Sequence, residues 1–495
     1  MPAITYKDFG GGLDRRLPIS VQEANRLWVL KDAYITAGKK ISKRPGLRLV
    51  SSEISGSVGL TAMSGGLQVF SETGSGFIPP AGIGALEVDG YTSGELAGIL
   101  VDVLYAEIFQ GFPYVVAVHA VLSIRPDPPP GQVASPGLVF QYLPKHHYLD
   151  GGVTTRITDA NCSHGASVTK AAGRIFSIGS EVVRFCAAGN ARDWTTASDA
   201  GFLSASLQQD TRGSPTAVGT FEDTLVVCFA DGTQVWNVAT DPAANAIRRR
   251  MSGIGTIHPQ SLATFYRDLV FAGTFGVRSM SVQESVDRFD ETDVGVPVDT
   301  LVGPAQAAHE ASSWQPVRAA WLPQLGQYWL IYDAGSTSKV FAYSFSRSSK
   351  LACWSVYEFP VLITGIASLQ GKVYVRSASS LYELAADQYT DNGMAINVDV
   401  QMAFQDAKSP GVEKMFYGAD YVFSGTATIS YLYDPRDTGK ETTPQTVTGD
   451  SRAGTVVPVE VCAAAIAPRF RHSADEAFSL DLASLYFHPL TVQTG

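Results

Sequence analysis

Charge is scarce in this 495-residue chain: 17% of residues are Asp, Glu, Lys or Arg, against 45% hydrophobic. That balance excludes a wholly disordered protein. Basic residues are also outnumbered, 37 to 47, which leaves a net charge of −10. A general duplex-DNA binder needs Lys and Arg clusters to neutralise phosphates, so that class is not expected. There are only five cysteines, Cys162, Cys186, Cys228, Cys353 and Cys462, with no C-x-x-C among them. Neither a disulfide framework nor a zinc ribbon fits such spacing. They read as reduced, buried small hydrophobes in an intracellular assembly setting. Long apolar runs are missing too. The longest, residues 96–118, is broken by Asp102, Glu107, Gln110 and Pro113, so no membrane span is expected. The opening residues lack a basic stretch followed by an apolar one, so no signal peptide is expected. Glycine (47) and proline (26) follow no G-x-y period, which excludes a collagen-like chain.

Aromatics are plentiful, with 24 Phe, 20 Tyr and 7 Trp, a composition that suits thin β cores. Residues 1–50 hold ten Lys or Arg and four Asp or Glu, a local charge of +6 that leaves −16 for the rest. A helix is expected at 22–31, N-capped by Ser20, and the segment ends at the turn Arg44-Pro45-Gly46. Its exposed cations are candidates for docking on a partner.

Beyond residue 50, short runs rich in Val, Ile, Phe and Tyr alternate with Gly, Ser, Asp and Pro. Hairpin-shaped units stand at 173–188, 223–238, 268–282, 328–345 and 371–385. Weaker copies stand at 59–72 and at 114–124 with 137–151. The strong copies recur every 45 to 60 residues or so, the spacing of β-propeller blades. Each hairpin is read as the inner strands of a blade, with Trp194, Trp236 and Trp354 as aromatics wedged between blades. Residues 74–135 carry a Gly- and Pro-rich stretch, the helix-compatible 91–110 and the stiff loop 125–131, and are read as an insertion. From 391 the texture becomes long alternating strands, as in a β-sandwich. The expected fold is therefore all-β: a basic N-terminal segment (1–50), a β-propeller (51–390) with an insertion around 74–135, and a C-terminal β-sandwich (391–495).

No catalytic motif has confirming spacing. H-E-x-x-H, G-x-S-x-G and Walker A are all missing from the sequence. His146 and His147 are adjacent, so on a strand they face opposite ways and cannot share a metal; they read as ordinary surface or interface histidines. The acidic group Asp287, Asp290, Glu291 and Asp293 does not have the every-second-residue ligand spacing of an EF-hand. Residues 229–236 have an Asp231-Gly232 hairpin turn in place of a sialidase Asp-box. Nothing singles out one carboxylate pair for glycoside hydrolysis. No catalytic residue, metal or cofactor is assigned.

Several stretches resemble a known family. Phe9-Gly10-Gly11-Gly12-Leu13 and Lys43-Arg44-Pro45-Gly46 match the aromatic-Gly-Gly-Leu start and the Lys-Arg-Pro-Gly turn of tail nozzle proteins of short-tailed bacteriophages. These are also called tail tubular protein B, or packaged-DNA stabilisation protein. Residues 146–201, 235–256 and 271–302 are similar to the same family, and the likeness covers most of 5–305; 74–135 departs from it. The resemblance implies a non-enzymatic virion protein, assembled in the bacterial cytoplasm. It would form a homohexameric ring below the portal adaptor that retains packaged DNA and conducts it at ejection. A closing ring needs two different patches per subunit. Six chains at −10 carry about −60, and a negative bore keeps DNA from sticking. On this reading Asp287, Asp290, Glu291 and Asp293 line the channel or its rim, and Arg15, Arg16, Lys39, Lys40, Lys43 and Arg44 dock a neighbour or the adaptor. Tail fibres, spikes or a needle are further implied partners. The competing readings are a receptor-binding or polysaccharide-depolymerising tail protein, a cellular propeller scaffold, and a sugar or quinone dehydrogenase.

Overall fold

The structure is a computed structural model. It describes residues 2–490 except 55, 64–65, 72–76, 79–80, 86–98, 125–137, 151–152, 209–212, 275, 287–292, 314 and 452–455. Among the described residues, seven successive groups of three or four strands form the blades of a β-propeller. They occupy 57–85, 99–156, 168–203, 217–252, 263–279, 318–359 and 365–385, and are numbered 1 to 7 in that order. Blade 7 is completed by Gly46–Ser51, which pairs antiparallel with Ser380–Ala385. A strand from early in the chain thus closes the last blade and locks the ring.

Seven apolar seams join neighbouring blades. Leu60 and Val69 of blade 1 meet Ala367 and Leu381 of blade 7. Val58 and Phe70 meet Val103 and Val115 of blade 2. The following seams run through Tyr114 and Ile175, Phe185 and Leu225, Val226 and Phe271, Ala272 and Leu330, and Ile331 and Val375. Each buried Val, Leu, Ile or Phe in these seams contributes about 1.5–3 kcal/mol. Trp194 and Trp236 lie in the seams between blades 2 and 3 and blades 3 and 4. The hairpins read from the sequence are real, but in blades 2 to 7 each has another strand on its axial side. Val168–Ala171, for example, precedes the hairpin of Arg174–Ile178 and Val183–Phe185. In blades 3 to 7 this first strand has only three to five residues, so its signal is weaker than the hairpin's.

The hub is filled. Arg318 of blade 6 forms an ion pair with Asp102 of blade 2 across the axis, and Arg376 of blade 7 donates to the carbonyls of Ser57 and Val58 at 2.7 and 3.1 Å. The cavities left around the axis measure about 220 and 180 Å³, room for a few waters.

Residues 391–490 and the N-terminal strands build the sandwich together. One sheet has six strands, with Ala33–Ile35, Ile41–Lys43 and Ala3–Tyr6 beside Lys414–Ser424, Val457–Ala463 and Ser479–Pro489. The other runs on from blade 6: Leu351–Phe359 pairs with Gly12–Leu13 and Arg26–Lys31, and the sheet continues through Val398–Met402 to ten strands. One ladder of hydrogen bonds therefore spans propeller and sandwich. Trp354 lies in the shared core, its Nε1–H donating to the Val294 carbonyl at 2.5 Å.

Two helix expectations are corrected. Within 22–31, Arg26–Lys31 is a strand: Leu27 and Leu30 are buried in the shared core, and pairing on both edges outweighs local helix spacing. In 91–110, Ile99–Phe109 is a strand that forms a hairpin with Phe112–Ile124. Gln110 and Gly111, with φ of 50° and 85°, make the two-residue turn; 91–98 lie outside the described residues. Cys462 is exposed, unlike the other four cysteines, because its side chain points outward from an edge strand of the sandwich.

Candidate functional site

The six basic residues expected to dock a partner separate into three places. Arg44 is buried, 1% exposed. Its Nε donates to Asp32 Oδ1 at 2.7 Å, and its Nη1 and Nη2 donate to the two Asp391 oxygens at 2.9 and 2.6 Å. Nη2 also donates to the Glu358 carbonyl at 3.0 Å, and the guanidinium stacks 4.1 Å above the Phe359 ring. Lys43 is buried as well, donating to the Ala474 carbonyl at 2.7 Å; burial pushes its ammonium down to about 8. These two residues are corrected from docking cations to structural ones. They stand where the chain leaves the sandwich strand Ile41–Lys43 and enters the closing strand Gly46–Ser51, and their charges are consumed inside. Gly46 completes the junction: a Cβ there would sit 2.2 Å from the Thr390 carbonyl oxygen. Lys39 and Lys40 lie on the turn between Ala33–Ile35 and Ile41–Lys43, facing Asp8 at 3.2 Å and Asp481 at 3.9 Å.

The other resembling motif works at the same joint. Phe9 is fully buried, and Leu13 pairs with Trp354 of blade 6. Gly12 has φ of 55°, and a Cβ on it would strike Cys353 Cβ at 2.5 Å.

Arg15 and Arg16 border a groove of about 800 Å³ between the N-terminal segment and the residues that lead into helix Asp299–Ser312. Arg16 makes a bidentate contact with Asp14, Nε to both oxygens at 3.1 Å and Nη2 to Oδ2 at 2.7 Å; Arg26 pairs with the same carboxylate. Burial alone would raise the Asp14 carboxyl, but hydrogen bonds and charge from Arg16 and Arg26 leave it below its ordinary value. The Arg15 guanidinium lies 3.8 Å over the Trp28 ring, its Nε meets no hydrogen-bond acceptor among the described residues, and burial lowers it to about 10. Leu17 and Val21 are 51% and 62% exposed beside these cations. The groove thus brings three arginines, three carboxylates (Asp14, Glu23 and Asp299) and bare aliphatic surface together. Leu17 and Val21 were not singled out in the sequence, where lone aliphatics in a polar stretch carry no signal.

Of the four acidic candidates, Asp287, Asp290 and Glu291 lie outside the described residues. Asp293 is corrected from an exposed lining residue to a buried one: it is 2% exposed and accepts hydrogen bonds from the backbone of Ser279 and Val294 at 3.1 and 2.7 Å and from Gln283. Burial raises it to about 6. His146 and His147 are also corrected from surface to buried positions. They do point to opposite faces: His147 stacks on His119, and His146 meets Cys162 and His164. That last trio can hold a metal ion.

No protein-family model matches the chain, and no curated protein matches it. Solved structures similar to it include an exo-β-1,3-galactanase from Phanerochaete chrysosporium with galactose, at 11% identity over 65% of this chain and 95% of that one, TM-score 0.23. The WD40 domain of Neurospora crassa Pan2 is 10% identical over 57% and 88%, TM-score 0.32. The extracellular domain of a hybrid two-component system from B. thetaiotaomicron is 13% identical over 69% and 45%, TM-score 0.27. Likenesses of this size carry no argument about activity. Among the described residues, no helix is long and apolar enough to cross a membrane.

Proposed function

We propose that the chain is a structural subunit of the tail of a short-tailed phage, a nozzle protein that assembles into a homohexameric ring below the portal adaptor. The observation that supports this is where the two resembling motifs lie. Phe9–Leu13 and the turn at 43–46 line neither the axial cavities nor the groove at Arg15 and Arg16. They weld propeller to sandwich through a shared sheet and the buried Arg44 centre. Motifs spent on stiffness suit a subunit that must hold its shape in a ring around pressurised DNA. On this reading the DNA runs between subunits, since the axial cavities of about 220 and 180 Å³ are too small for a duplex. The groove at Arg15 and Arg16, with Leu17 and Val21 exposed beside it, then takes a segment of the neighbouring subunit or of the adaptor.

The test is electron microscopy of purified particles labelled with serum raised against this chain. Label confined to the tail stub below the head is the expected result. Label on peripheral spikes, or on none of the particles, would overturn the proposal.

One observation favours a second reading, a carbohydrate-binding tail protein. Tyr266 is 56% exposed and packs with Trp321 and Phe345 at ring distances of 5.5 and 5.4 Å. Such an aromatic patch stacks on sugar rings as readily as on protein. Binding to purified host polysaccharide that disappears in Trp321→Ala would favour it.

A further inference from the structure

Between blades 2 and 3, three side chains with metal-ligating atoms converge inside an apolar seam. His146 comes from the third strand of blade 2, Leu138–Asp150. Cys162 and His164 come from the segment that crosses to blade 3. Cys162 Sγ lies 3.4 Å from His146 Nδ1 and 3.8 Å from His164 Nδ1. In a tetrahedral zinc site, with Zn–N of about 2.0–2.1 Å and Zn–S of about 2.3 Å, a nitrogen and a sulfur ligand stand about 3.6 Å apart. Both separations fall within about 0.2 Å of that edge.

The orientation of His146 points the same way. Its Nε2 is 2.9 Å from the Gly165 carbonyl oxygen. A carbonyl only accepts, so Nε2 carries the proton and the Nδ1 lone pair faces Cys162. Metal-binding histidines are characteristically held in this way, with the far ring nitrogen donating to a backbone carbonyl. Gly165 can approach because it has no side chain: a Cβ would lie 2.1 Å from the Ile178 carbonyl oxygen. Trp194 and Tyr114 wall the site, with the Tyr114 hydroxyl 2.7 Å from His146 Nδ1, where a fourth donor or a bound water would stand. Cys162 and His146 are buried and His164 is half-buried, so an ion would enter past His164.

We propose that His146, Cys162 and His164 bind one thiophilic divalent transition metal, zinc foremost, that pins the crossing segment to blade 2. One sulfur and two imidazole nitrogens suit zinc or copper rather than magnesium or calcium. Binding breaks the S–H bond of Cys162 and forms a metal–sulfur bond, so one proton leaves to solvent per ion. The ion also replaces two hydrogen bonds, Tyr114 Oη–H to His146 Nδ1 and the 3.1 Å bond from the His146 backbone N–H to His164 Nδ1.

The test uses the full chain, reduced and stripped of metal with a chelator, in a Cys462→Ser background that removes the exposed thiol. Titration with Co²⁺ is expected to saturate at one equivalent, with thiolate charge-transfer absorption and the visible bands of a tetrahedral ion. Zn²⁺ should bleach both and raise the melting temperature. Cys162→Ser is expected to abolish the charge-transfer band, and Cys186→Ser, at a nearby buried thiol, to keep it. Should Cys162→Ser fail to fold, His164→Ala at the half-buried position reads the same question: Co²⁺ binding is expected to weaken by at least about tenfold. No stoichiometric Co²⁺, a charge-transfer band that survives Cys162→Ser, or unchanged affinity in His164→Ala would each overturn the proposal.

Discussion

Arg44 and Arg16 belong to the same basic segment, yet one is sealed inside the molecule and the other borders an open groove. Arg44 faces two carboxylates and two carbonyls, and is 1% exposed. Arg16 faces one carboxylate, and its own side chain is 35% exposed. The difference teaches how a cation's surroundings set its task. In the core, a charge left without its partner keeps its full desolvation penalty, so the Arg44 centre holds geometry. At the surface, water replaces a lost partner cheaply, so Arg16 is available for a partner's charge at little cost to the fold.

The largest expected effect breaks the buried side of this comparison. Arg44→Ala leaves Asp32 and Asp391 facing each other without a cation, and should destabilise the protein by about 3–5 kcal/mol in denaturant unfolding. A loss under about 1 kcal/mol would mean that the centre does not hold the joint. Gly46→Ala acts on the same joint through sterics alone. With backbone oxygen 2.2 Å from the new Cβ, a cost of about 3 kcal/mol is expected, read as a lowered midpoint.

Two acids sharpen the comparison with pH. Asp293 has a folded-state value raised to about 6 from an ordinary 3.8. Its contribution is present below the ordinary value and is lost as pH rises through about 6. Asp14 is shifted down, so its contribution is present above the ordinary value and is lost as pH falls. Asp293→Asn should therefore remove a stability loss on the order of 2 kcal/mol between pH 4 and 6. After a flip of the Gln283 amide, the new carboxamide can donate to Gln283 Oε1, which has no partner among the described residues, so the variant should fold. An unchanged pH profile in chemical unfolding would refute the raised value. Asp14→Asn should flatten the opposite, acidic limb.

The smallest effect on stability is expected at the groove. Arg16→Gln should cost less than about 1 kcal/mol. If the chain is the nozzle subunit proposed above, the same substitution should weaken ring assembly or attachment to DNA-filled heads, measured by sedimentation. Full attachment by the variant would remove the groove from the docking surface.

Much of the blade pattern was legible in the sequence. Val, Ile, Phe and Tyr alternating around tight turns mark the central hairpins, because strand period and turn chemistry are local properties. The axial strands were less visible: Ala263–Phe265 has three residues, too few for a period. Ile99–Phe109 carries apolar residues at both spacings, and its antiparallel partner decided between helix and strand. Of the site residues, the basic charge of 1–50 was visible but its division was not. Lys43 and Arg44 look like their neighbours until Asp391 arrives from 347 residues away. Cys162 and His164 stand two residues apart, a spacing that carries no signal on its own, and His146 joins them only through the seam between two blades.

By itself, then, the sequence determined the all-β class, the repeated hairpins and the motifs at 9–13 and 43–46, because backbone periodicity, turn glycines and local charge are written in neighbouring residues. The tertiary structure alone decided the closure of blade 7 by Gly46–Ser51, the sheet shared by propeller and sandwich, and which charges are buried. Those depend on contacts between distant residues, where desolvation and pairing outweigh any local preference.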